Sequence, residues 1–158
     1  MRYEVFQESV IRQDPDYLTQ KHMERTYIEA TKPTKEAHIS FNEHLDPEFR
    51  SCSVEEKTLR LLYHMKPWML NTGGSMHGGI IASLSDMSMG LLARYFKGSS
   101  ECVTVHLGVE YLHGIAPESD VIVECKAEKV GKRVIFLTSK VYVAESGKLA
   151  AIATAEFM

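Results

Sequence analysis

The chain has 158 residues, 44% of them apolar and none in a low-complexity tract, which suits one well-filled core and is short for two independent domains. Its formal charge of -3, with acidic and basic residues interspersed, gives no basic field for nucleic acid or an anionic membrane. The opening MRYEVFQESVIRQDPD lacks the apolar core of a signal peptide, and no apolar run approaches the roughly 20 residues that span a bilayer, so a cytoplasmic protein is expected.

In chain order, Asp14 ahead of Pro15 predicts a helix start, with Tyr17, Leu18, Met23, Tyr27 and Ile28 loosely on one face and Pro33 ending or bending it. Lys35 to Arg50 reads as a connecting segment with at most a short helix. Residues 1–53 are therefore expected to form a partly helical N-terminal extension, and residues 54–158 the main domain. Thr58 to Lys66 predicts a strand ending at Pro67. A glycine-rich turn, Asn71 to Gly79, then opens an apolar helix, Ile80 to Phe96, that holds one carboxylate, Asp86.

Four more strands are predicted: Cys102 to Leu112, Ser119 to Lys129, Val134 to Val143 and Leu149 to Phe157. The short separators, His113-Gly114 with Pro117, Gly131-Lys132 and Glu145-Ser146-Gly147-Lys148, predict hairpins and hence a meander. Val121, Val123, Cys125 and Ala127 alternate with Glu124, Lys126 and Glu128, the pattern of a sheet with one dry face. The helix, with Ile80, Leu84, Met87, Leu91 and Tyr95 at helical spacing, is the element able to cover it. The expected class is α+β: a curved antiparallel sheet wrapped around one long central helix.

Glycines at a helix start leave backbone N–H groups for negative charge, and a carboxylate in an apolar helix is costly unless used. The pair reads as an oxyanion site plus a base; the plainer alternative ties Asp86 to Ser83 or Ser85. Cys52, Cys102 and Cys125, odd in number and without a CxxC pair, read as reduced core thiols. The seven histidines form no HExxH or Cys/His cluster, so no metal site is expected. No GxSxG turn surrounds Ser83 or Ser85, which argues against a serine hydrolase of that type.

The run from Asn71 through His77-Gly78-Gly79 to Asp86, followed by CVTVHLGVEYL, resembles the hot-dog fold acyl-CoA thioesterases of the phenylacetate-degradation (PaaI) type, in the 4-hydroxybenzoyl-CoA thioesterase-like superfamily. Three spacings carry the resemblance: Asn six before His, His-Gly-Gly, and Asp nine after His. It covers about Val54 to Met158. It implies that the Gly78 amide polarises the thioester carbonyl and that Asp86 is general base or nucleophile. It further implies that Asn71 positions water or substrate, that His77 shapes the turn or touches the carbonyl, and that Thr104 lies near the water. Lys132 and Arg133 are candidate partners for coenzyme A phosphates, or simply a charged hairpin turn. No cofactor is implied, since coenzyme A enters as part of the substrate. Alternatives are a non-catalytic acyl-CoA binding protein and an acyl-thioester dehydratase or hydratase.

The helix rise adds an independent constraint. Eight residues at about 1.5 Å each put Asp86 roughly 12 Å from the amide of Gly78. One protomer cannot bring both to one thioester carbon, so a homodimer, or a dimer of dimers, with composite sites is expected.

Overall fold

The computed structural model describes residues 4–7, 11–32 and 40–158. Its helices are α1 (Gln20–Ala30), α2 (Phe41–Leu45) and α3 (Gly78–Lys97), and its strands are β1 (Glu48–Ser53), β2 (Thr58–Tyr63), β3 (Thr104–Tyr111), β4 (Val121–Val130), β5 (Ile135–Val143) and β6 (Leu149–Phe157). The strands form one antiparallel sheet in the order β1-β2-β4-β5-β6-β3.

Helix α3 lies against the inner face of this sheet, burying Leu84, Met87, Leu91 and Tyr95. Val121, Val123, Cys125 and Ala127 of β4 meet it from the sheet side, as their alternation predicts. The helix stops at Gly98, whose φ of 64° is the left-handed cap that glycine adopts without strain, and Arg94 and Lys97 oppose the dipole in its last turn. Ile80 of the predicted apolar stripe is only half-buried, with Ile81 taking its place in the core.

Three expectations need correction. The C-terminal strands are no simple meander: β3 pairs with β6 at the sheet's edge, while β4 lies between β2 and β5. The segment from 112 to 120 therefore crosses two strands instead of closing a hairpin. Ile115 is fully buried along it and accepts a hydrogen bond from the Met76 amide at 2.9 Å, which pins the crossover beneath the glycine-rich turn. Next, residues 48–53, mostly read as connecting segment or extension, form an outer strand paired with β2. The expected division at 53/54 falls in the turn between these strands.

The first helix begins later than Asp14. Asp14 accepts the Asp16 amide at 2.9 Å, Leu18 sits at φ 64°, and Thr19 caps α1 by accepting the His22 amide at 3.2 Å. The helix ends at Ala30, and the stop expected at Pro33 lies outside the described residues. Tyr27 stacks on Phe49 of β1 and donates to the Leu91 carbonyl, while the Tyr17 hydroxyl donates to the Tyr95 carbonyl at 2.7 Å. The extension is thus docked on the C-terminal half of α3. All three cysteines are unpaired, and among the described residues no helix is long and apolar enough to cross a membrane.

Candidate active site

The glycine-rich turn is built by its own side chains. Asn71 Oδ1 accepts the amides of Gly73 at 2.9 Å and Ser75 at 3.2 Å, and Gly74 takes a φ of 78°. Asn71 therefore braces the turn, with its side-chain NH2 group directed to no described protein acceptor. His77 is the N-cap of α3: its Nδ1 accepts the Gly79 amide at 2.9 Å, which requires that nitrogen to be unprotonated. Of the two glycine amides, that of Gly79 is consumed in this cap. The Gly78 N–H has no acceptor among the described residues, and it stands at the positive end of a 20-residue helix.

The Gly78 carbonyl is fixed by the Tyr111 hydroxyl at 3.0 Å, and the Tyr111 ring lies 3.4 Å from where a β-carbon on Gly78 would be. Tyr111 was not among the residues singled out from sequence. Its signal was parity, since it follows Leu107 and Val109 on the face of β3 that meets the core.

Asp86 is half-buried, less sunk than its apolar flanks suggest. The Thr104 hydroxyl donates to its Oδ1 at 2.7 Å, while Ser83 donates to the Gly79 carbonyl at 2.7 Å and the buried Ser85 hydroxyl has no partner among the described residues. The alternative in which a neighbouring serine occupies Asp86 is therefore not what this structure shows. The carboxylate borders a pocket of about 190 Å³ with Phe41, Asn42, Ala82, Ser83 and Leu107. Phe41 and Asn42 belong to α2, and sequence reading missed both. The available signal was Ser40-x-x-Glu43, which forms a complete capping box and holds α2 in place.

Thr104 reaches Asp86 because β3 carries a bulge at Val105. Thr104 pairs with Phe157 and Leu107 with Ala155, both on the buried face, while His106 pairs with Glu156 on the outer face. Strict alternation puts Thr104 and His106 on one face; the extra residue separates them. His106 instead borders an outer-face pocket with Glu128, Phe136 and Glu156.

Lys132 and Arg133 are exposed at the tip of the β4–β5 hairpin. Thr104, Phe157, Ile135 and Val130 form one row across the sheet, so this tip lies at the same sheet end as Thr104, between two and three strand spacings or roughly 12 Å to the side. Among the described residues, no group of three or more His, Cys, Asp or Glu side chains could hold a metal.

Residues 73–150 match the family described as the Thioesterase superfamily. The chain is 28% identical over 151 residues to the acyl-coenzyme A thioesterase THEM4 of Xenopus laevis, an alignment spanning 91% of this chain and 65% of that protein's length. Thioesterase superfamily member 2 from Mus musculus shares the fold at a TM-score of 0.71 and 19% identity, covering 85% of this chain and 95% of its own. A phenylacetic acid degradation-related protein from Ralstonia eutropha does so at 0.70 and 21%, covering 90% and 98%. The six-stranded sheet around α3 is the hot-dog fold of these neighbours, and the His77-Gly78-Gly79 helix start lies within the stretch, just under half of the chain, that is similar to the thioesterase superfamily.

Proposed function

We propose that this protein is an acyl-CoA thioesterase working as a homodimer, with each site shared between two protomers. The observation that carries the reading is the pairing of Thr104 with Asp86 at 2.7 Å beside an open pocket, on the helix whose first residue, Gly78, keeps an uncommitted amide. Because Gly78 and Asp86 are roughly 12 Å apart along α3, the amide of one protomer serves the carboxylate of the other. Two antiparallel α3 helices meet this requirement twice.

In this mechanism the thioester oxygen accepts the Gly78 N–H, and the charge that develops there is stabilised by the helix start. Thr104 occupies Oδ1 of Asp86 and leaves Oδ2 to take a proton from water. The water oxygen bonds to the carbonyl carbon, the C–S bond breaks, and the proton held by Asp86 passes to the departing thiolate. The products are the free acid and coenzyme A. Lys132 and Arg133, at the Thr104 end of the sheet, serve the coenzyme A phosphates as paired cations. Asn71 and His77 act through the turn, by holding the Gly78 amide in place.

Hydrolysis of a series of acyl-CoAs, followed by thiol release, tests the reading. Wild type should turn over at least part of the series, and Asp86→Asn should lose about 10²- to 10⁴-fold in kcat. An inert wild type, or full activity in Asp86→Asn, would overturn it.

A further inference from the structure

Phe41 borders both the pocket of about 190 Å³ at Asp86 and a second cleft of about 490 Å³, which His44 and Trp68 also line among the described residues. Phe41 and Trp68 are 53% and 46% exposed, unusually wet for large apolar side chains held on ordered segments. The walls are fixed rather than floppy. Leu45 is fully buried under α2, the Lys66 ammonium donates to the His44 carbonyl at 2.9 Å, and the His44 and Trp68 rings meet edge to face at 6.5 Å.

We infer that this aromatic cleft, built by α2 of the N-terminal extension and the turn after β2, is the acyl-chain subsite and selects for aliphatic acyl groups long enough to pass Phe41 and reach Trp68. The inference rests on the thioesterase reading above and adds a specificity element to it. An acetyl group needs only the inner pocket. A longer flexible chain can bend past Phe41 and exchange water for three ring faces, in a space within the range of ligand pockets. The residues that grade substrates by length thus come from outside the segment that carries the turn and the carboxylate.

The experiment uses an acyl-CoA series from acetyl to decanoyl, with wild type, Phe41→Ala, Trp68→Ala and, as control, Phe136→Ala on the outer sheet face. In wild type kcat/KM should rise by about fourfold per methylene once the inner pocket is filled. Phe41→Ala and Trp68→Ala should lower the ratio of decanoyl to acetyl kcat/KM at least tenfold, while Phe136→Ala keeps the wild-type slope. S-alkyl-CoA thioethers, which cannot be hydrolysed, give a parallel series of Kd values by calorimetry. If wild type is inert on thioesters yet binds the thioethers with the same slope and the same loss in Trp68→Ala, the hydrolase reading fails and the cleft stands. The inference is overturned if both cleft variants keep the wild-type slope in kcat/KM and Kd. It is equally overturned if Trp68→Ala changes the sedimenting mass with the slope intact, which assigns the cleft to a second copy of the chain.

Discussion

The Tyr111 hydroxyl and the Gly78 carbonyl meet at 3.0 Å, tying the edge strand β3 to the first residue of α3. Seven residues earlier the same strand holds Asp86 through Thr104. One strand therefore fixes both halves of the proposed site, the helix start and the carboxylate, which lie roughly 12 Å apart along α3.

Gly78→Pro isolates the amide. Proline is tolerated at the first helical position, where its missing N–H breaks no helical bond, and His77, at φ -63° and ψ 134°, already has the extended backbone that a residue before proline prefers. The helix should persist while kcat falls about 10²- to 10³-fold, the cost of one oxyanion donor. Circular dichroism and steady-state kinetics check the two halves of this statement.

Mixing tests the sharing of sites. Asp86→Asn and Gly78→Pro chains, each inactive alone, should regain about a quarter of wild-type activity after joint refolding, because half the dimers are mixed and each holds one intact site. No recovery in verified heterodimers means that both groups act within one chain.

Thr104→Val removes the donor to Asp86 at similar volume, and Thr104→Ser keeps it. A hydrogen bond to a charged group corresponds to a fall of roughly tenfold or more in kcat for the valine variant, with serine near wild type. Since Thr104 is exposed in the single chain, melting temperatures should hardly move. Equal rates for the two variants would remove the hydroxyl from the mechanism.

The outer edge of β3 is a ready template for a second copy, with Val103 and Val105 at 63% and 53% exposure. Val105→Lys should yield a monomer in sedimentation and lose activity in proportion, since in the proposed arrangement one chain carries only half of each site. An active monomer would contradict the composite arrangement.

Two histidines give stability opposite pH trends. His64 lies 2.8 Å from Asp120 and 3.2 Å from Glu48, and the Asp120 hydrogen bond leads in raising its pKa. Its contribution is full below the unfolded value of about 6.5 and disappears as pH rises through the raised folded value. The His64 side chain is 56% exposed and that of Asp120 31%, so the melting difference between wild type and His64→Gln should be small and shrink further in salt. His22 is buried beside the Tyr95 hydroxyl at 3.1 Å, and burial lowers its pKa despite Asp14. Its contribution is full above about 6.5 and is lost as pH falls through the lowered folded value. Hydrogen exchange in α1, corrected for intrinsic rate, should accelerate relative to α3 on going from pH 7 to pH 5.

What the amino-acid order revealed was local. The apolar spacing of α3, its glycine stop and the alternation in β4 each follow from a period that neighbours share. Strand β1 escaped because Glu48–Ser53 is an outer strand with one large apolar residue, Phe49, and so shows little contrast between its faces. The crossover after β3 escaped because Gly114 and Pro117 punctuate a hairpin and a crossover equally well. Asp86 and Gly78 could be read from spacing and helix rise. Thr104 was reached through the family resemblance and Tyr111 and Phe41 not at all, because all three meet that site only through contacts distant in sequence, set by the register of β3 and the docking of α2.

The bulge at Val105 also governs which length changes this strand can absorb. Thr104 and Tyr111 are seven positions apart, an odd interval that alternation alone would place on opposite faces, and the extra residue brings both to α3. Removing Val105 leaves a regular strand that still presents both hydroxyl groups inward. Removing a residue between 107 and 110 either keeps the bulge and turns one of them outward, or uses the bulge up and swings His106 to the buried face. Tolerance to a one-residue deletion is thus confined to a single point on β3, beside the carboxylate it helps to hold.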